Sequence, residues 1–413
     1  MPVTGWSAAL GLGLLALGAV AGAPGLMLVG VLALLVAWLR GLWARFGLRD
    51  VTYERHLGTD RAVWGDEIPL DVTVWNRKLL PLAWLRTHDF VSDGAHLRER
   101  ELTRSDTPGM AFLENRWTLA WFERVVRHFH LVADRRGIYR FENVRLEVAD
   151  LFATATTSEE RRARQLYVVR PRSVPVRRGG PERAMLGTRR ARMSLFEDPA
   201  LFAGVRPYQP GDPLKRIHWK STARTGRPVS KRFDPSRERQ VVIAVDMQTL
   251  EGPHWMMVFD DDAVEGLCVA AASLARSVLA DGSACGLALA AFTGTPSTIT
   301  YIPPGAASAQ LGRISDVLGR ASSFASLPFE RLLGMLARRM PSGATVVTCS
   351  ARDPSAFLPA ARRLAGSGFD VRHVALGGEA ETWARRAREA GIPASVGRLE
   401  PDWQHSDALV LAG

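Results

Sequence analysis

Hydrophobic residues follow three different patterns along the chain. Residues 6–22 and 26–39 are almost wholly apolar, whereas the run from Ile68 to Val74 alternates apolar residues with polar ones. After residue 240, short continuous apolar stretches alternate with amphipathic ones. The wholly apolar runs predict membrane-crossing helices, and the alternating run predicts half-buried β-strands. The short apolar stretches after residue 240 predict a parallel α/β sheet.

The N-terminal pattern predicts a two-helix membrane hairpin over residues 1–49. No charged residue precedes Arg40, and Ala23-Pro24-Gly25 separates two apolar runs that we expect to contact membrane lipid through residues 6–39. Arg40, Arg45 and Arg49 follow the second run, so the positive-inside rule places the soluble domains in the cytoplasm, at the inner membrane. A cleaved signal peptide would begin with a positive region, which is absent; a buried soluble helical hairpin is the other alternative.

Residues 50–164 have the pattern of an antiparallel β-sandwich. Gly65-Asp66, Asp93-Gly94 and Pro108-Gly109 are turn signals between alternating runs. Residues 165–239 follow as a basic linker, which begins with a strand predicted over Leu166 to Val169 and ends in a more ordered segment.

Residues 240–413 predict a doubly wound α/β domain, because apolar strands alternate with amphipathic helices. The expected strands and helices are, in order, strand 241–245, helix 263–280, strand 284–292, helix 325–339, strand 344–349, helix 354–365, strand 371–376 and helix 379–390.

Charge is distributed unevenly between these regions. The chain is +11 overall, while residues 241–413 contain 17 acidic and 14 basic residues, so the first 240 residues carry about +14. Basic blocks can bind nucleic acid or an anionic membrane, or can simply be solvated. With a membrane anchor present, we expect no nucleic-acid partner. The three cysteines lack C-x-x-C spacing and are predicted to be buried and apolar.

The segment from Val205 to Phe233 is the most distinctive part of the chain. Pro and Gly place turns near both of its ends, with a basic stretch around an apolar pair between them. It resembles the signature of a bacterial family known as domain of unknown function 58, although His218 departs from the family pattern. The resemblance rests on Arg206, Tyr208, Pro210, Gly211, Asp212, Ile217, Trp219, Ser221, Ala223, Arg224 and Gly226. We expect Trp219 to pack between domains and Arg224 to pair with Asp212 or a backbone carbonyl; if both side chains are instead exposed on one face, the segment is a docking site.

The resemblance implies both a fold and a partner. Its members carry a von Willebrand factor A-type domain after the signature, and the element order after residue 240 is similar to that fold. They are often encoded beside MoxR-type AAA+ ATPases, which implies such an ATPase as partner and a role in assembling or maturing envelope or other complexes. The resemblance names no client protein.

A magnesium site is the main chemical alternative. Domains of the von Willebrand A type often hold Mg²⁺ through an Asp-x-Ser-x-Ser run at the end of the first strand. Here Asp246 is retained but both serine positions are lost, which leaves Thr249 as a substitute ligand. We therefore expect no cofactor, and Asp246 is predicted to cap a turn. The acidic run from Asp260 to Asp262 is predicted to cap the following helix.

The sequence contains no catalytic motif that we recognise. It has no G-x-S-x-G elbow, P-loop, H-E-x-x-H or glycine-rich dinucleotide fingerprint. We therefore predict a non-catalytic, membrane-anchored scaffold or adaptor that docks partner proteins. Its proposed binding residues are those of the signature: Arg206, Tyr208, Gly211, Asp212, Ile217, Trp219, Ala223 and Arg224. The alternatives are a metal-dependent adhesion-type domain that uses Asp246 and an unrecognised hydrolase.

Overall fold

A computed structural model describes residues 3–150, 156–179, 197–209, 217–235, 239–252, 259–400 and 402–413. The chain divides into two compact units, Met1–Arg170 and Pro171–Gly413. The first unit contains the apolar helices and the β-sandwich strands, and the second contains the signature segment and an α/β sheet.

Two apolar helices form an antiparallel pair at the N-terminus, α1 (Val3–Ala21) and α2 (Pro24–Phe46). Pro24 stands in the first turn of α2, where its missing N–H costs nothing. Gly30 brings the two backbones together: a Cβ there would lie 2.7 Å from the backbone nitrogen of Leu15. Small residues at a close helix–helix approach are typical of membrane helices. Of the described helices only α2 and α4 (Asp261–Ala280) are long and apolar enough to span a membrane, and α4 is mostly buried in the second unit.

The end of α2 is fastened to the strands that follow. The indole of Trp43 donates to the carbonyl of Pro81 (3.1 Å), and Arg40 pairs with the buried Asp150 (3.1 Å). Lys78 donates to the carbonyls of Gly47 and Arg49, and its partial burial lowers its pKa to about 8. Cations on the last carbonyls of a helix satisfy acceptors that have no partner within the helix.

Two β-sheets form the rest of the first unit. The strand bounds are β1 Val51–Leu57, β2 Arg61–Val63, β3 Glu67–Asn76, β4 Leu82–Ser92, β5 His96–Leu97, β6 Thr103–Arg104, β7 Met110–Leu119, β8 Arg124–Val132, β9 Gly137–Ala149, β10 Thr156–Arg161 and β11 Gln165–Arg170. The first sheet has the order β1-β3-β8-β5 and the second has the order β2-β11-β9-β4-β7-β6, with β10 also paired to β9. Within these sheets, only the β2–β11 pair is parallel among the described strands.

The alternation predicted for the sandwich is present. Ile68, Leu70, Val72 and Val74 on β3 are all at most 1% exposed, and they share one core with residues of both sheets. The strand predicted over residues 166–169 is present as β11, which completes the second sheet, and the first compact unit ends after Arg170.

A charged cluster lies inside this core. Asp89 on β4 is 1% exposed, accepts a hydrogen bond from the Tyr53 hydroxyl (2.5 Å) and pairs with Arg55. The Arg55 guanidinium also lies 4.1 Å from the ring centre of Phe141. Burial raises the pKa values of both Asp89 and Tyr53. A buried carboxylate remains ionised only where such partners compensate the lost hydration.

The second unit contains an eight-stranded mixed sheet with helices. The strand bounds are β12 Val176–Gly179, β15 Gln240–Val245, β16 Ala284–Leu289, β17 Thr300–Gly305, β18 Thr345–Ser350, β19 Asp370–Leu376, β20 Ala394–Leu399 and β21 Leu409–Ala412. The sheet has the order β12-β21-β20-β19-β18-β15-β16-β17, in which the five strands from β20 to β16 are mutually parallel. The helices are α4, α5 Gln310–Arg320, α6 Phe329–Leu336, α7 Leu358–Gly366, preceded by a 3-10 turn Pro354–Ala356, and α8 Ala380–Glu389.

The predicted strands and helices after residue 240 all occur, but the edges of the sheet were not foreseen. The fully parallel sheet expected from the sequence is mixed, because β17 and β21 run antiparallel to their neighbours β16 and β20. The predicted helix 325–339 is shorter, since Pro328 precedes its first residue. Pro303 and Pro304 lie in β17, an edge strand, where a missing N–H is tolerated.

Candidate functional site

The signature segment forms a small β-α-β unit in which a short helix lies between two paired strands. Strands β13 (Glu197–Pro207) and β14 (Val229–Pro235) are antiparallel, and α3 (Trp219–Thr225) lies between them in sequence. Ile217 is buried and bridges to Ser230 on β14, which joins the start of the helix to the strands. The described part of the segment is therefore organised around α3.

Both ends of α3 are capped. At the first end, the His218 imidazole Nδ1 accepts the backbone N–H of Ser221 (3.1 Å). At the other end, Gly226 adopts the left-handed conformation (φ +66°) and donates to Thr222 (2.9 Å), as expected for a glycine after a helix. The Thr222 hydroxyl in turn accepts the N–H of Val229 (3.1 Å). A seven-residue helix is marginal alone, so these caps fix its position.

The helix presents an aromatic and basic surface to solvent. The Trp219 side chain is 69% exposed, and Lys220, Ala223, Arg224 and Arg227 are also exposed. Most of Trp219 is in contact with water, so the indole is not packed within its own unit, and its packing between domains remains a prediction. Trp219 with Ala223, and Lys220 with Arg224, are i,i+4 pairs and so lie side by side on the helix. We call residues 219, 220, 223, 224 and 227 the α3 surface.

The remaining predicted binding residues have different environments. Arg206 is partly buried near the end of β13 and donates to the Pro207 carbonyl (3.4 Å), and the backbone N–H of Tyr208 donates to Pro228 (3.0 Å). Gly211 and Asp212 lie outside the described residues, so the predicted pair between Arg224 and Asp212 remains a prediction.

A second group of predicted residues lies at the carboxyl edge of the α/β sheet. Asp246 directly follows β15 and is 1% exposed. Its Oδ1 accepts the backbone N–H of Gln248 (3.1 Å), the turn-capping role predicted for it. Its Oδ2 accepts the guanidinium Nε of Arg352 (2.8 Å), which follows β18 and is itself buried. Burial raises the pKa of Asp246 to about 6, although Arg352 opposes this shift.

These residues do not fit a divalent cation. Both carboxylate oxygens of Asp246 already accept hydrogen bonds, and the Thr249 hydroxyl accepts the backbone N–H of Asp260 (2.8 Å). A positively charged guanidinium beside the carboxylate repels a metal ion, and Mg²⁺ needs several oxygen ligands in an octahedral array. Within the described ranges, no group of three His, Cys, Asp or Glu side chains could hold a metal ion.

The acidic run before α4 has a structural role. The Asp260 carboxylate accepts the N–H groups of Asp262 and Ala263, as predicted for an N-cap, and Asp262 accepts the indole N–H of Trp403 (3.1 Å). These residues border a shallow cleft of about 440 Å³ beside the ends of β19 and β20.

Sequence reasoning missed two contributors, His218 and Arg352. His218 departs from the family pattern, and only its position directly before α3 could have indicated a cap. Arg352 carried a clearer signal, because it is a basic residue just beyond the strand predicted over 344–349, at the same edge of the sheet as Asp246.

Comparison with known proteins supports the resemblance of the signature segment. Residues 204–331 match the family described as "Protein of unknown function DUF58". The chain is also 26% identical over 253 residues to the uncharacterized protein YeaD of Bacillus subtilis (strain 168), an alignment that covers 60% of this chain and 58% of YeaD. The chain thus matches less than two thirds of the length of that relative.

Solved structures add little to this picture. The CARDB domain of the PF1109 protein of Pyrococcus furiosus is 17% identical and has a TM-score of 0.21, with 29% of this chain and 92% of that chain covered. A cohesin module of a family 33 glycoside hydrolase from Clostridium perfringens is 9% identical and has a TM-score of 0.20, with 29% and 97% covered. Likenesses this low carry no argument about fold or function.

Proposed function

We propose that this protein is a non-catalytic, membrane-anchored docking protein that binds a partner protein through the α3 surface. The observation that carries the proposal is Trp219: a large indole that is 69% exposed on a helix capped at both ends. Exposing an indole to water is unfavourable in a monomer, and tryptophan is enriched among the residues that dominate binding at interfaces.

The N-terminal hairpin supports membrane anchoring. Its outward side chains are large and apolar, while glycines line the contact between its helices. The exposed ones include Trp6, Leu10, Leu12, Leu17, Val20, Leu28, Val29, Val31, Leu32, Leu35 and Trp38. Such a surface suits hydrocarbon better than water. Because Arg40 and Arg45 lie near the end of the second helix and Arg49 just beyond it, the proposed location is the inner membrane, with the soluble units facing the cytoplasm.

We assign the α/β sheet of the second unit to a von Willebrand factor A-like domain. Numbered from β15, the six strands to β20 take the order 3-2-1-4-5-6, with the third antiparallel at the edge. This order is common to doubly wound folds, so the assignment rests also on the resemblance of the preceding signature.

The non-catalytic part of the proposal rests on the environments of candidate nucleophiles and bases. Burial raises the pKa values of the Cys285 and Cys349 thiols to about 12, which keeps them protonated. His373 is buried beside the Thr348 hydroxyl (3.1 Å), and His218 caps a helix. These side chains have structural roles, which supports docking over hydrolysis. His254 lies outside the described residues.

The proposed partner is a MoxR-type AAA+ ATPase, as the family resemblance implies, with assembly or maturation of envelope or other complexes as the purpose. The α3 surface suits a partner that has an apolar pocket for an indole and an acidic rim for Lys220, Arg224 and Arg227. Charges around an aromatic anchor steer association and select the partner.

Quantitative co-purification from native membranes tests this proposal. We expect tagged full-length protein to retain the ATPase and the Trp219→Ala variant to lose most of it. Trp121→Ala is the matched control, because Trp121 is similarly exposed (63%) but belongs to the first unit. Equal ATPase recovery with all three proteins, or none with any of them, would count against the proposal.

A further inference from the structure

Asp246 lies at the point of the α/β sheet where ligands usually bind. It follows β15, whose neighbours β16 and β18 stand on opposite sides, so the strand order reverses there. In open α/β sheets, the crevice at the carboxyl ends of the strands beside such a reversal is the usual binding position. The von Willebrand A-type resemblance implies a divalent cation at this carboxylate.

In this protein the cation beside the Asp246 carboxylate is an arginine side chain. The Arg352 guanidinium donates Nε–H to Asp246 Oδ2 at 2.8 Å, and the side chains of these residues are 8% and 1% exposed, respectively. Arg352 comes from the residues after β18, the strand parallel to β15 on one side. The Asp246 backbone N–H also donates to the Cys349 carbonyl (2.9 Å), so the ends of these two strands are tied by both backbone and side chains.

We propose that Arg352 is the resident cation of this edge and replaces the divalent metal, which makes the edge independent of metal ions. An ion pair this deeply buried persists only if each charge compensates the other. A guanidinium remains charged throughout the physiological pH range and, unlike Mg²⁺, cannot dissociate or exchange. The edge is thus held in one state, whatever the metal concentration. This proposal does not depend on the docking role of the α3 surface.

The proposal predicts how full-length protein in detergent responds to cations. Calorimetric titration of the wild type with Mg²⁺ or Mn²⁺ should show no uptake at Asp246, and neither ion should shift the unfolding temperature of the second unit. Arg352→Ala leaves a buried, uncompensated carboxylate, and we expect that unfolding temperature to fall by roughly 10 °C.

Chemical rescue identifies the missing group. The atoms removed by Arg352→Ala correspond to ethylguanidinium, and millimolar ethylguanidinium should restore part of the lost unfolding temperature, because a ligand that binds the folded state stabilises it. The control is Arg386→Ala, which removes a half-exposed arginine paired with Asp353; we expect a fall of at most about 2 °C and no rescue.

Two results would overturn the proposal. One is stoichiometric Mn²⁺ binding by the wild type that Asp246→Asn abolishes. The other is an Arg352→Ala protein that is as stable as Arg386→Ala and unaffected by ethylguanidinium. If Arg352→Ala does not fold, the double variant Asp246→Asn/Arg352→Met decides: recovery of a cooperative unfolding transition supports the proposal, and continued failure to fold contradicts it.

Discussion

Arg55 stabilises the β-sandwich by compensating a carboxylate deep inside it. Asp89 is 1% exposed, and its partners are the guanidinium of Arg55 and the hydroxyl of Tyr53. Arg55→Ala removes the only positive charge that pairs with Asp89 among the described residues, together with the guanidinium contact to the Phe141 ring at 4.1 Å. Removing one member of a buried ion pair costs about 3–5 kcal/mol.

Hydrogen–deuterium exchange of the β4 and β9 amides in the full-length protein measures this cost locally. For amides that exchange only through unfolding, a loss of about 4 kcal/mol in the free energy of unfolding makes exchange roughly a thousandfold faster, because about 1.4 kcal/mol corresponds to a factor of ten. Arg86→Ala is the control on the same strand: Arg86 is half exposed and pairs with Glu114 at 3.4 Å, so we expect a loss below about 1 kcal/mol.

The pH dependence of Arg55→Ala provides a second check. Burial already raises the pKa of Asp89, and loss of Arg55 raises it further. When a carboxyl group has a higher pKa in the folded chain than in the unfolded chain, the folded protein becomes more stable as the pH falls through the folded-state pKa. The destabilisation by Arg55→Ala should therefore shrink in mild acid. Exchange rates equal to those of Arg86→Ala at neutral pH would refute the reasoning.

Three further predictions concern other parts of the chain. Gly30→Leu should destabilise the helical hairpin by about 1–3 kcal/mol, which would appear as faster proteolysis in detergent. Gly13→Leu, at a position with no neighbour within 4 Å, should leave the rate of proteolysis unchanged, and equal rates for the two variants would contradict the close packing at Gly30. Burial lowers the pKa of His373 to about 4, so the free energy of unfolding of the second unit should fall by roughly 3 kcal/mol as the pH drops from about 6.5 to 4. Urea titrations at each pH measure this fall, and His373→Gln should abolish the part of it that comes from His373. Cys285 and Cys349 should resist iodoacetamide at pH 8 in the folded protein and react on unfolding, as measured by mass spectrometry; rapid labelling of the folded protein would contradict their burial.

Local sequence patterns predicted some of the regular elements of the fold. Alternation identified the strand that became β3, and proline between two apolar runs identified the break between α1 and α2. Strand β12 could not be found this way, because it lies in a Pro- and Arg-rich stretch and pairs with β21, more than 200 residues later. Only that long-range pairing makes it a strand.

The sites were less predictable than the fold because their environments are set by tertiary structure. A lone tryptophan among basic residues has the same sequence signature in a core as on a surface, and Trp219 proved to be exposed. Loss of the serine ligands after Asp246 was visible in the sequence. The identity of the compensating cation was not, because Arg352 meets Asp246 only through the pairing of β15 with β18.

The affinity of the full-length protein for a MoxR-type AAA+ ATPase from the same organism tests the central claim most directly. With the protein in lipid nanodiscs, we expect saturable binding that Trp219→Ala weakens roughly thirtyfold, the effect of losing an interface anchor worth about 2 kcal/mol. Trp121→Ala should bind within about twofold of the wild type, since rim or unrelated surface positions contribute little. An affinity that Trp219→Ala leaves unchanged would contradict the assignment of the α3 surface as the docking site.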